Sequence, residues 1–256
     1  MQARGRAVRA SRETSEGRPP RLVLYVERLA PEGRSEPAYE PVVPVLTPHG
    51  LRRFLPLAAM LALAIAAAAR PAAQDPQEVF DRALADFQSG RLDASVAGFD
   101  ALARLAPAFA PQLWQRGIAL YYVGRYEECR RQFESHRTVN PNDVENAAWH
   151  FLCVARAESP EQARDALLPV GPDRRVPMRQ IYELFRGTLG PEGVLTAAGA
   201  PPAAQFYAHL YLGLYFEAIG NKDRAREHIG VAAADRYAAV GGYMHAVARV
   251  HLGLLP

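Results

Sequence analysis

The histidines and cysteines carry most of the reactive potential in this 256-residue sequence, which has seven of the former and two of the latter. A zinc site needs several such ligands at short spacing, because four side chains must converge within about 2.0–2.3 Å of one ion. The nearest approach to that spacing is His150 and Cys153, one helical turn apart, and two ligands do not complete a set. His245 shares a helical face with Arg249, and His150 with Asn146, neither pair a metal or catalytic arrangement. No nucleophile elbow, phosphate loop or dinucleotide fingerprint occurs. Gly241-Gly242 reads as a turn, and Glu127-Glu128 opens a helix, where carboxylates complement the helix dipole. Asn140-Pro141-Asn142-Asp143 reads as a helix stop followed by an N-cap. The residues therefore predict no catalytic set, no metal and no cofactor; what the chain does must come from surfaces.

Those surfaces depend on how the chain is divided. Apolar residues are 49% and charged residues 22% of the sequence, ordinary for a globular protein. The net charge of +3 is unevenly placed. Residues 1–50 carry eight Arg and six Glu, residues 51–74 three Arg and no acid, and the rest nineteen basic and twenty-one acidic residues. The body is thus mildly acidic and lacks the basic footprint of a nucleic-acid binder.

Residues 1–50 are rich in Arg, Pro and Glu and read as a disordered or mis-assigned extension. Arg52-Arg53 then precede an apolar run, Phe54 to Ala69, followed by Arg70-Pro71-Ala72-Ala73. A positive start, apolar centre and small-residue exit describe a secretory signal peptide. An uncleaved anchor and a buried Ala-rich helix are the other readings of 51–74. Export to a periplasm or envelope is the expectation, with membrane contact only through that segment if it is retained.

From Asp75 onward the pattern is helical. A shift of 34 residues superposes Gly90-Arg91-Leu92-Asp93 on Gly124-Arg125-Tyr126-Glu127, Phe99 on Phe133 and Pro107 on Pro141. The same shift places Phe80 on Trp114, Ala83 on Gly117 and Phe87 on Tyr121. Each match has a mechanical reason: small residues let helices approach, glycines end them in left-handed caps, and prolines stop the second helix. Gly213, Gly220, Ala225 and Ile229 repeat the spacing of Gly117, Gly124, Cys129 and Phe133 at an offset of 96, so the middle has lost register. A helix over 143–157, a short partner to Leu168, helices near 177–186 and 191–198, and a last helix near 240–253 complete the reading.

This pattern resembles the tetratricopeptide repeat. The resemblance implies an all-α helix–turn–helix solenoid over 75–256, with degenerate middle repeats and a C-terminal capping helix. The layout is similar to that of the NlpI-type bacterial envelope adaptor proteins, most tellingly at Gly117–Arg125 and Asn140–Asp143. That family's members are non-enzymatic adaptors that bring cell-wall endopeptidases to a periplasmic protease. Its lipid anchor requires a cysteine just after the signal; here the only cysteines are Cys129 and Cys153. The resemblance places Cys129 and Cys153 on neighbouring helices, leaving a disulfide and two buried thiols both open.

The implied function is a non-catalytic scaffold or adaptor that binds a protein or peptide through a concave face, with no nucleic acid. The alternatives are a structural or assembly subunit with one fixed partner, and a hydrolase with an unrecognised site in 158–200. On the resemblance, the partner-binding wall comprises Phe80, Phe87, Trp114, Ile118, Tyr121, Tyr122, Leu152, Arg156, Tyr207 and Leu214, with Leu84, Glu145, Ala148, Leu210 and Glu217 alongside. The lost register offers a competing outcome, in which 177–200 folds inward and covers that wall.

Overall fold

The computed structural model describes residues 75–255; residues 1–50, read above as an extension, and 51–74, read as a signal peptide or anchor, lie outside the described residues. Among the described residues every regular element is helical. In chain order these are α1 (Pro76–Gln88), α2 (Leu92–Leu105), α3 (Trp114–Tyr122), α4 (Tyr126–Arg137), α5 (Val144–Ala157), α6 (Pro160–Asp165), α7 (Met178–Arg186), α8 (Pro191–Ala198), α9 (Pro202–Ala218), α10 (Lys222–Ala232) and α11 (Ala238–Leu254). Short 3₁₀ turns cover Pro107–Gln112 and Asp235–Tyr237. No described helix is long and apolar enough to cross a membrane.

The helix ends follow local chemistry. Asp75 caps α1 by accepting from the Gln77 amide at 2.9 Å, with Pro76 at the first helical position, where its missing N–H costs nothing. Asp143 and Ser159 cap α5 and α6 in the same way. Gly90, Gly124 and Gly220 close α1, α3 and α9 at φ of 73°, 77° and 83°, a conformation that a Cβ disfavours.

Helices then pair along the chain: α1 on α2, α3 on α4 and α9 on α10. The repeat offsets reappear as one physical contact. A Cβ on Gly117 would stand 2.7 Å from the Phe133 ring, and one on Gly213 2.5 Å from Ile229. In α1/α2 the small pair is Ala83 and Gly98. These approaches exclude larger side chains, and the aromatic Phe80 and Phe99 meet edge to face beside the first of them.

α5 is the central element, packed on α3, α4, α6, α7 and α9, and ten of its fourteen residues are buried. Cys129 of α4 and Cys153 of α5 are joined in a disulfide with Cα atoms 5.9 Å apart. Of the two readings open from sequence, the bridge is the one present. α6 is only six residues long, as the Ser159-Pro160-Glu161 stretch suggests.

The last helix departs from a simple end cap. α11 is kinked at Gly242 (φ 51°, ψ −128°), packs on α9 and α10, and reaches back to α1. Region 177–200 does not cover the aromatic side chains of α1 and α3. Phe185 of α7 instead packs on Phe151 and Tyr211, while Tyr243 of α11 lies against Phe87 and Trp114.

Candidate functional site

The side chains expected to form a partner-binding wall divide into four sets. Phe80, Phe87, Ile118, Leu152 and Leu214 are buried in the core, so the fold itself uses their apolar area. Trp114 is partly buried and meets Tyr243 edge to face at 5.3 Å. Tyr121, Tyr122 and Arg156 converge on a cavity of about 190 Å³, which Tyr126, Glu217, His251, Leu254 and Leu255 complete. Tyr207 stands apart, beneath Arg175.

Five helices build the cavity. Tyr121 and Tyr122 come from the last turn of α3, where Gly124 ends the helix and turns the chain so that Tyr126 opens α4 beside them. Arg156 comes from the last turn of α5, Glu217 from the last turn of α9, and His251 with Leu254 from the end of α11. The site gathers helix C-terminal ends, where a cation such as Arg156 is favoured by the helix dipole.

Glu217 is the hub. Its Oε2 accepts from the Tyr121 hydroxyl at 3.3 Å and lies 3.4 Å from His251 Nε2, while Oε1 faces Arg156 Nη1 at 3.6 Å. None of these contacts is short, and His251 Nε2 has no hydrogen-bond partner although the ring is 2% exposed. His251 Nδ1 lies 3.0 Å from the Tyr122 hydroxyl. The carboxylate nearby favours the tautomer protonated on Nε2, so Nδ1 accepts from the phenol. Arg156 also sits 5.6 Å from the centre of the Tyr126 ring, a cation–π contact, with its side chain 42% exposed at the rim.

Glu217, His251 and Tyr122 stand in the order of a carboxylate–imidazole–hydroxyl relay. The phenol is not activated by it. Burial pushes the Tyr122 pKa well above its ordinary value, and Tyr121 and Glu217 nearby add to the rise. Burial likewise raises that of Tyr121, and lowers that of His251 against the pull of Glu217. Near pH 7 the set holds a neutral imidazole, protonated phenols and one opposed charge pair, suited to hydrogen bonding and ion pairing rather than to nucleophilic attack.

A second polar cluster forms around Arg175, in the segment between α6 and α7. Its guanidinium binds Asp143, Glu145 and Asp173 and lies 6.0 Å from the centre of the Tyr207 ring. The Tyr211 hydroxyl donates to Glu145 at 2.6 Å. Burial, then Asp143, raises the Glu145 pKa despite the arginine. The cluster ties the irregular middle to α5 and α9, a structural task that accounts for Tyr207 and Glu145.

Sequence reasoning placed Tyr121, Tyr122, Arg156 and Glu217 on one wall but missed Tyr126, His251, Leu254 and Leu255. The signal for His251 was the stripe Tyr243, Val247, His251 at four-residue intervals, one face of a helix. Among the described residues no group of three or more His, Cys, Asp or Glu could hold a metal ion. No protein-family model matches this chain.

Proposed function

We propose that the chain is a non-catalytic adaptor of tetratricopeptide architecture, exported to the bacterial envelope, that captures a protein or peptide segment at the mouth between α3, α5, α9 and α11. The observation that carries this reading is the solvent-open rim of Tyr126, Arg156 and Leu254 around an aromatic, charged cavity. Tyrosine and arginine give large contact area with directional hydrogen bonds, the side chains that dominate interface energies. α11 fills the rest of the expected wall, so this mouth is the part left for a partner.

Two further observations support the reading. The same small-residue contact recurs between Gly117 and Phe133 and between Gly213 and Ile229, at equal spacing within each helix pair, which favours a tetratricopeptide origin. The Cys129–Cys153 disulfide favours an oxidising compartment, in line with the Arg-led apolar run at 52–69. The layout resembles that of NlpI-type adaptors, without their lipid-anchor cysteine.

The test is affinity capture from envelope extract with the chain from Asp75 onward, comparing wild type with a Tyr126→Ala, Arg156→Ala double variant. The expected result is a partner captured by wild type and lost by the variant, with helical circular dichroism unchanged. A partner retained equally by the variant would refute the mouth as its site.

A further inference from the structure

The cavity beneath the rim has a composition that goes beyond capture of a partner segment and does not rest on it. It holds one guanidinium and one carboxylate, 3.6 Å apart at their closest atoms, and neither is saturated by the other. Arg156 has five donors, and a long contact to Glu217 with its interactions with the Tyr126 hydroxyl and ring leaves part of that capacity unspent. Glu217 Oε1 has Arg156 as its neighbour at that long distance, because Tyr121 and His251 both approach Oε2. His251 Nε2 is a buried polar atom that makes no hydrogen bond, although Glu217 Oε2 lies 3.4 Å away, so the polar groups around Glu217 are incompletely matched.

We infer that this cavity binds a free α-amino acid as its zwitterion. An α-amino acid carries an ammonium and a carboxylate on one carbon, so its two charges lie about as close together as those of Arg156 and Glu217. Laid antiparallel to that pair, the ligand carboxylate meets the guanidinium and its ammonium meets Glu217 Oε1, a square of alternating charges with no net charge buried. A simple anion would compete with Glu217 for Arg156, and a simple cation would compete with Arg156 for Glu217; the zwitterion does neither.

Size and lining define the side chain. A volume of about 190 Å³ corresponds to roughly six waters at about 30 Å³ each, room for one residue-sized molecule. Leu254 and Leu255 supply apolar lining beside the charged groups, which suits a medium aliphatic side chain such as that of leucine. Arg156 at the rim gives the ligand a path in from solvent.

Isothermal titration of the intact folded protein with L-leucine, at low salt and neutral pH, tests the inference. Saturable one-site binding with Kd of about 1 mM or tighter is expected. N-acetyl-leucine, which lacks the ammonium, and leucine amide, which lacks the carboxylate, should each bind at least about tenfold more weakly. Arg156→Gln and Glu217→Gln should each weaken leucine by a similar factor; the two analogues give the answer on wild-type protein even if a variant misfolds. Absence of leucine binding up to about 10 mM overturns the inference. Equal binding of N-acetyl-leucine also overturns it and marks a simple anion site; equal binding of leucine amide overturns it in favour of a cation site. None of these readings involves the protein partner, so failure here leaves the adaptor reading to its own capture test.

Discussion

The α1/α2 pair and the seat of α11 against α1 and α3 are built on different terms. In the first, Ala83 approaches Gly98, Phe80 meets Phe99, and the buried Ser95 hydroxyl donates to the Ala83 carbonyl at 2.8 Å. Its polar content is satisfied and its partners are close in sequence. In the second, Tyr243 lies between Phe87 and Trp114 and His251 against Tyr122, residues more than a hundred positions away, and the Tyr243 hydroxyl and His251 Nε2 are both buried without a partner. The helical pairs supply stability from short-range, apolar contacts. The α11 seat leaves polar groups unmet and lies beside the cavity.

The largest test of the comparison is the disulfide, which links neighbouring elements α4 and α5 across 24 residues. Chain-entropy arguments give about 3 kcal/mol for a loop of that length, so reduction should lower the free energy of unfolding by that amount in urea titrations with and without reductant. Next comes Gly117→Val, which forces side-chain atoms into the Phe133 ring and should cost about 1–3 kcal/mol by the same assay. A negligible loss would mean that the helical seams tolerate slack and that the contrast with α11 is smaller than it looks.

A third, smaller effect concerns the seat itself. Burial lowers the His251 pKa below the ordinary 6.5, so the unfolded chain binds more protons than the folded one in that window. The histidine's contribution is fully present above about 6.5 and is eroded as pH falls from there toward the lowered folded value. Going from pH 7.5 to about 5.5, wild type should therefore lose more stability than His251→Asn, and equal losses would contradict a neutral buried imidazole. His209 and His228, whose Nδ1 atoms lie 3.0 Å apart, add the same sign, since burial lowers both, with His228 and Arg236 adding for His209 and Arg224 for His228 against the pull of Glu227. The smallest effect is Tyr243→Phe, which deletes a buried unpaired hydroxyl and should change stability by less than about 1 kcal/mol, in either direction. A large loss there would reveal a partner for that hydroxyl and close the gap between the two seams.

The sequence by itself determined the helices and their pairing. Caps at Asp75 and Asp143, left-handed glycines at 90, 124 and 220, and small residues facing large ones at a fixed offset are local rules, and the fold obeys them. The resemblance to a tetratricopeptide stack, rather than any local rule, put Tyr121, Tyr122, Arg156 and Glu217 on one wall, and these four line one cavity. Only the tertiary structure decided what covers that wall. Periodicity shows which face of a helix is apolar but not which distant segment will bury it; region 177–200 was the cover weighed from sequence, whereas Tyr243 and His251 of α11 lie against the wall. The kink at Gly242 and the reach of α11 back to α1 settled the choice, burying Phe87 and leaving Arg156 and Glu217 at an open mouth with His251, which no short-range rule could have brought to them.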